Sequence, residues 1–263
     1  MFFLYLELPQ QVTGILHNAA MSKTNATHEL DLQQVKQRSL SGAVSYFGRT
    51  LLLQAVGFIS AFALSYYFSP EDFGVYGFVL QIIGILTFFS DIGLAAALVQ
   101  KKDEPSVSDY RTVFTVQQAL SWLIVAIVGV VLMTGIVQEK TGEAGQWILI
   151  ALALSFPLAT LKTIPSILLE RKLAFSRLVV PQSFEQLVFH GILIFMAIQG
   201  SGAIAYAYAI IVRSVVGAIV MLSLQSWDFG VSLDATSLRI LLGFGVKFQL
   251  NDFLARIKDQ LFY

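Results

Sequence analysis

The chain has 263 residues, of which 56% are hydrophobic and 13% charged, and its mean hydropathy is +0.71. Soluble domains carry about 25% charged residues, so this composition leaves too little polar surface for a soluble globule. Lysine plus arginine equals aspartate plus glutamate at 17 each, so net charge gives no case for nucleic acid as a partner. The chain is therefore predicted to be an integral membrane protein.

The sequence contains none of the usual motifs for metal binding or catalysis. There is no cysteine, which excludes disulfides, thiolate metal sites and a cysteine nucleophile. The three histidines, His17, His28 and His190, are scattered, so neither a metal cluster nor a histidine relay is expected. No phosphate-binding loop and no Gly-x-Ser-x-Gly elbow is found. We expect no cofactor, no metal and no enzymatic activity.

The first 40 residues differ from the rest and are predicted to be a polar cytoplasmic tail. Residues 1–8 are apolar, but no basic residues precede them and they are too short to span a bilayer, so a signal peptide is not expected. An ordinary polar tail begins at Met21. We expect translation to start there and residues 1–20 to carry no function.

Six apolar stretches are long enough to cross a bilayer as helices. A hydrocarbon core about 30 Å thick needs about 20 apolar residues in helical form, because unpaired backbone polar groups are not tolerated there. The predicted fold is an all-α polytopic bundle, with a six-helix lobe over residues 41–226. Residues 238–263 are predicted to begin a seventh helix that the sequence cuts short. The six spans are residues 44–68, 75–99, 113–137, 147–169, 179–198 and 203–224.

The lysines and arginines predict which way the lobe faces. With the tail in the cytoplasm, the inner connections hold ten of them and the outer connections hold only Lys140. This asymmetry predicts a cytoplasmic amino terminus. The ten are Lys23, Lys36, Arg38, Lys101, Lys102, Arg111, Arg171, Lys172, Arg177 and Arg239.

Five charged residues fall inside predicted spans: Arg49, Asp91, Lys162, Glu185 and Arg213. A charge in hydrocarbon is costly unless it faces protein or water, so each is a candidate functional residue. The first four lie roughly 8–12 Å from the inner surface, and Arg213 lies near the midplane. Together they predict a polar, water-accessible cavity that opens inward.

Structural roles stay open for the same residues. Arg49 and Lys162 could extend to the inner headgroups. Asp91 could cap a helix or pair with Arg49, and Glu185 could pair with Lys162. Arg213 is too deep to reach the headgroups easily, so it is predicted to line the cavity.

Two prolines flank Lys162 in the fourth span. Pro157 and Pro165 each remove a helical hydrogen bond, so kinks are predicted there. The freed carbonyls and the lysine could together face water. An ordinary kinked packing helix is the alternative.

Three segments of the chain form recognisable motifs. The first is residues 70–76, Pro-Glu-Asp-Phe-Gly-Val-Tyr. The second is residues 91–94, Asp-Ile-Gly-Leu, followed by Ala-Leu-Val-Gln at 97–100. The third is residues 170–175, Glu-Arg-Lys-Leu-Ala-Phe, which contains an Arg-x-Leu-x-Phe element. Together these segments resemble polysaccharide-biosynthesis flippases of the multidrug/oligosaccharidyl-lipid/polysaccharide exporter superfamily, and the resemblance runs from about residue 39 to the end.

The resemblance implies a transporter with two similar lobes, of which this chain supplies the first. The cargo would be an undecaprenyl-diphosphate-linked oligosaccharide, moved across the bacterial inner membrane for O-antigen, capsule or exopolysaccharide synthesis. Expected partners are this lipid-linked cargo, membrane lipids and a second lobe. The candidate substrate-binding residues are Arg213, Lys162 and Arg49. Asp91 and Glu185 are assigned to ion coupling or to structural pairs.

Other functions remain open at this point. A cation-coupled drug exporter of the same superfamily would use Asp91 or Glu185 to carry the ion. A membrane glycosyltransferase or sugar polymerase would need a sizeable loop with catalytic carboxylates, and no loop between the predicted spans is long enough. A scaffold that does not transport is the remaining alternative.

Overall fold

The computed structural model describes residues 47–48, 50–88 and 90–262. Arg49 and the predicted tail lie outside these residues. The described part is helical, without β-strands, which confirms the predicted all-α bundle. Within it the helices are α1 (Thr50–Tyr67), α2 (Pro70–Phe88), α3 (Leu94–Gln100), α4 (Val107–Met133), α5 (Ile136–Arg171), α6 (Phe175–Ile198), α7 (Ile204–Leu224) and α8 (Ala235–Phe262).

Five of these helices are long and apolar enough to cross a membrane: α1, α4, α5, α6 and α7. They match the first and the third to sixth predicted spans, with shifted ends. For example, α4 begins at Val107 instead of residue 113. A capping box explains the earlier start, because Ser106 Oγ accepts from Asp109 N at 3.2 Å and the Asp109 carboxylate accepts from Ser106 N at 2.8 Å.

The second predicted span is not one helix. It is divided into α2 and α3 by a break at Ser90–Gly93, where Gly93 has a φ of +74°. This left-handed conformation costs glycine little, and Gly93 stands immediately before the first residue of α3. The Asp91 carboxylate then accepts a hydrogen bond from Ala95 N at 3.1 Å and so caps α3. This contact corresponds to the first of the two structural roles considered for Asp91, and pairing with Arg49 stays a prediction.

The fifth helix, α5, leaves regular geometry at a glycine. Gly142 has φ +67° and ψ −168°, a conformation essentially limited to glycine. The predicted proline positions, Pro157 and Pro165, keep helical backbone angles. The sharp change of backbone direction therefore falls near one end of α5, and the stretch around Lys162 continues as regular helix.

The core lies around α7, which packs against α5 and α6. Small residues on α7, including Ala205 and Ala209, are fully buried beside Ile210. Small side chains let membrane helices approach closely, so dispersion contacts replace the hydrophobic effect that lipid does not supply. This packing fixes α5, α6 and α7 relative to one another.

The last helix, α8, packs against α3 and α4. Gly245 of α8 meets the backbone at Gly93, and a Cβ atom built on Gly245 would lie 2.8 Å from Ile92 O. At its start α8 is capped by Asp234, which accepts from Thr236 N at 2.9 Å. That hydrogen bond lowers the pKa of the Asp234 carboxyl.

Two hydrogen bonds hold the segment before α8 against α4. Ser232 N donates to Thr115 Oγ1 at 3.2 Å, and Asp234 N donates to Thr112 Oγ1 at 3.1 Å. The connection between α7 and α8 therefore lies on the amino-terminal end of α4. This is the end of the bundle at which α3 finishes and α5 finishes, and we call it the basic end because Lys101, Arg111 and Arg171 lie there.

Asp72 joins two helix starts at the opposite end. Its Oδ2 accepts from Ser69 N at 2.9 Å, which completes a capping box at α2, and its Oδ1 accepts from Ala203 N at 2.8 Å before α7. The connections thus gather at two ends, as the alternating charge pattern requires. That the basic end faces the cytoplasm stays a prediction.

We expect Asp72→Ala to lower the free energy of unfolding by about 1.5–3 kcal/mol, because amide groups at two helix starts lose a charged acceptor. The measurement is denaturant or thermal unfolding of the purified chain in lipid nanodiscs. Glu71→Ala is the matched control, since Glu71 is exposed on the same turn. Equal stability of the two variants would contradict the bridging role of Asp72.

Candidate transport groove

A polar cavity of about 560 Å³ lies between α3, α5 and α6 in the half of the bundle nearer the basic end. We call it the groove. Its walls combine apolar side chains with amides, hydroxyls and charges, a mixture that is unusual among membrane-spanning helices. The polar residues that line it are Gln100, Lys162, Thr163, Ser166, Glu170, Gln182 and Glu185.

The sequence places these groups on one side of each helix. Lys162, Ser166 and Glu170 follow one another at intervals of four on α5, so they form a single stripe. On α6, Gln182 and Glu185 are three residues apart and share a face. The short helix α3 contributes mainly small apolar side chains opposite them, which leaves the volume of the groove open.

Lys162 and Glu185 form an ion pair in the groove, with Nζ bonded to Oε1. Their side chains are 20% and 24% exposed, so both still face the cavity. This is the pairing that the depth estimates allowed for Glu185, and a role of Glu185 in ion coupling stays a prediction. Gly217 of α7 makes room for the pair, because a Cβ atom there would lie 2.5 Å from Glu185 Cγ.

The charges that line the groove do not favour an anion. The second carboxylate, Glu170, accepts a hydrogen bond from Ser166 Oγ at 3.0 Å and has no ion pair among the described residues. One ammonium and two carboxylates therefore line the cavity, a formal net charge of −1. By contrast, the predicted spans contain three basic and two acidic residues, and this count slightly favoured an anionic cargo.

Asp91 is positioned outside the groove lining. Its Oδ1 accepts from Gln117 Nε2 at 2.7 Å, in addition to capping α3. Gln117 is only 2% exposed. A role for Asp91 in ion coupling stays a prediction, and its predicted partner Arg49 lies outside the described residues.

Arg213 lies one turn from Gly217 on α7, and it too is absent from the described lining of the groove. Its guanidinium carbon is 4.7 Å from the centroid of the Phe189 ring, a cation–π contact. Within the part of the chain that the structure describes, Arg213 forms no ion pair. Its assignment to substrate binding, like that of Arg49, stays a prediction.

Arg171 forms hydrogen bonds to the end of α3, the helix that forms one wall of the groove. Its Nη1 donates to the carbonyl oxygens of Leu98, Val99 and Lys101 at 2.9–3.0 Å, and so satisfies the free carbonyls at the end of α3. Sequence reasoning counted Arg171 only as a loop charge. The available signal was its place in the third family-like segment, at the last turn of α5.

The comparisons with known proteins point to one family. A family model described as polysaccharide biosynthesis protein matches residues 63–263. This range contains every residue of the groove, the break at Gly93 and the Arg171 contacts. No curated protein and no solved structure matches the chain.

Proposed function

We propose that this chain, which belongs to the polysaccharide biosynthesis protein family, moves lipid-linked oligosaccharides across the bacterial inner membrane. The observation that carries the proposal is the groove, a polar cavity between helices that are long and apolar enough to span a membrane. A glycan cannot cross hydrocarbon without polar partners. The amides, hydroxyls and carboxylates of the groove are suitable partners for sugar hydroxyls.

The proposal divides the cargo between two places. The glycan would occupy the groove, whose net negative lining does not suit a diphosphate. The diphosphate would meet Arg213, because this deep cation has no acidic partner in the described chain and its planar fork can hold two phosphate oxygens. Lys162, which is already paired with Glu185, is a weaker candidate than the sequence indicated.

The same arrangement favours transport over catalysis. Glycosyl transfer by a pair of carboxylates needs both of them free to act as acid and base. In the groove, Glu185 is ion-paired with Lys162, so Glu170 is the one lining carboxylate without an ion pair among the described residues. We therefore propose a transporter that does not itself form or break glycosidic bonds.

Complementation tests the function. The full gene that encodes this chain, with the second lobe supplied as well where a separate gene encodes it, is expected to restore surface polysaccharide in a flippase-deficient strain. Arg213→Ala should lower the restored amount at least tenfold, whereas Arg213→Lys should keep part of it, because lysine retains the charge without the planar fork. The amount of protein in the membrane is measured alongside. Full restoration by Arg213→Ala would remove Arg213 from the site, and no restoration by a well-inserted parent protein would contradict the function.

A further inference from the structure

We infer that the groove selects neutral sugars and that the Lys162–Glu185 pair is the specificity element that excludes acidic ones. The inference rests on the proposed function and names the class of glycan that the groove would take. It depends on three features of the described residues: the ion pair, the unpaired Glu170 carboxylate and the missing side chain at Gly217.

The ion pair removes the cation that an acidic sugar would need. Lys162 is the only basic residue among the described residues that line the groove, and its ammonium is bonded to Glu185. A uronate would have to displace Glu185 from Lys162, leaving that carboxylate without its partner in a partly desolvated site. Uncompensated charge in such a site is costly, so the exchange is unfavourable.

The second carboxylate adds direct repulsion. Glu170 lies one turn beyond Ser166 on the same stripe as Lys162, and it has no cation to neutralise it in the described structure. Like charges brought together in a site of low dielectric repel more strongly than they do in water. Neutral sugars have no such penalty, and their hydroxyl groups can donate to the same carboxylates. The carboxylates thus favour the binding of neutral glycans and disfavour the binding of acidic ones.

Gly217 makes this arrangement possible. The Glu185 side chain crosses the surface of α7 where Gly217 has no Cβ, and any larger residue would overlap it. Gly217→Ala should therefore move Glu185 away from Lys162 without changing a charge. This variant breaks the pair while the carboxylate stays, so comparison with Glu185→Gln separates the effect of the pair from that of the lining charge.

The test measures binding of two soluble probes, maltotriose and trigalacturonate, to the purified chain in nanodiscs by saturation-transfer NMR. The parent protein should favour maltotriose at least tenfold. Glu185→Gln changes the formal lining charge from −1 to 0 and frees Lys162, so the preference should fall to within about threefold. The double variant with Glu185→Gln and Glu170→Gln should prefer trigalacturonate to maltotriose. Gly217→Ala frees Lys162 but keeps the lining charge at −1, so it should lower the preference less than Glu185→Gln does. Gly191→Ala should match the parent, because a Cβ atom there meets no atom within 4 Å.

Several outcomes would overturn the inference. A parent protein that binds neither probe, or prefers trigalacturonate, lacks the proposed specificity. An unchanged ratio in Glu185→Gln would show that the pair does not set it, even if Gly217→Ala folds poorly. Because these are binding measurements, they are independent of complementation: restored polysaccharide with no probe preference would leave the transport function standing and reject only the specificity.

Discussion

Gly93→Ala is expected to be among the most damaging single substitutions in the described chain, lowering the free energy of unfolding by about 2–5 kcal/mol. Two costs add at this position. Gly93 has a φ of +74°, which an alanine adopts only with strain. A Cβ atom there would also lie 2.8 Å from the carbonyl carbon of Gly245 and 2.9 Å from its Cα. These are backbone atoms, so α8 would have to move away from α3.

Matched glycines separate the two costs. Gly200 has a φ of +76°, but a Cβ atom there has open space around it, so Gly200→Ala should lose only about 1–2 kcal/mol. Gly245→Ala should also be destabilising, because a Cβ atom there would lie 2.8 Å from Ile92 O. Gly243→Ala on α8 has open space and no positive φ, so it is the control for Gly245→Ala. Unfolding in nanodiscs measures all four. A Gly93→Ala variant no less stable than Gly200→Ala would show that α8 does not press against the break.

Arg171→Ala is expected to lower the free energy of unfolding by about 1.5–3 kcal/mol and to reduce polysaccharide export strongly. The substitution leaves the carbonyl groups of Leu98 and Val99 without the donor that they have in the structure. Since α3 is short and forms one wall of the groove, its displacement would change the shape of the cavity. Arg171→Lys keeps the charge but loses the planar fork, so an intermediate effect is expected.

Arg177 provides the comparison for this experiment. It is an exposed basic residue at the same end of the bundle, in the first turn of α6. Arg177→Ala removes the same charge from the basic end without touching α3. Both stability and surface polysaccharide should therefore stay near the parent values. If the two alanine variants behave alike, general charge at the basic end matters and the contacts of Arg171 do not.

The membrane class and most spanning helices were predictable from the sequence because hydrocarbon imposes strong local constraints. Uninterrupted apolar stretches with turn residues at their ends predicted α6 and α7 to within a few residues. The match was close where one helix fills one apolar stretch. It failed at α2 and α3, because an apolar stretch of the right length does not reveal a break that one glycine and one capping carboxylate create.

Part of the groove was predictable for a similar reason. Depth along a helix follows from a fixed rise per residue, so Lys162 and Glu185 could be placed at the same level. Which of the intramembrane charges contact one another depends on how each helix is rotated and on the helices that pack against it. The structure pairs these two, places Asp91 beside Gln117, and places Arg213 over Phe189.

By itself, then, the sequence determined the class of protein, the positions of most apolar helices and the common level of Lys162 and Glu185 along their helices. These depend on composition and on spacing along one helix, which are local properties. Only the tertiary structure decided that Gly217 makes room for Glu185, that Arg171 holds the end of α3 and that Gly245 meets Gly93. Each of these contacts joins residues far apart in the chain. Packing geometry between helices, which no local pattern records, brings them together.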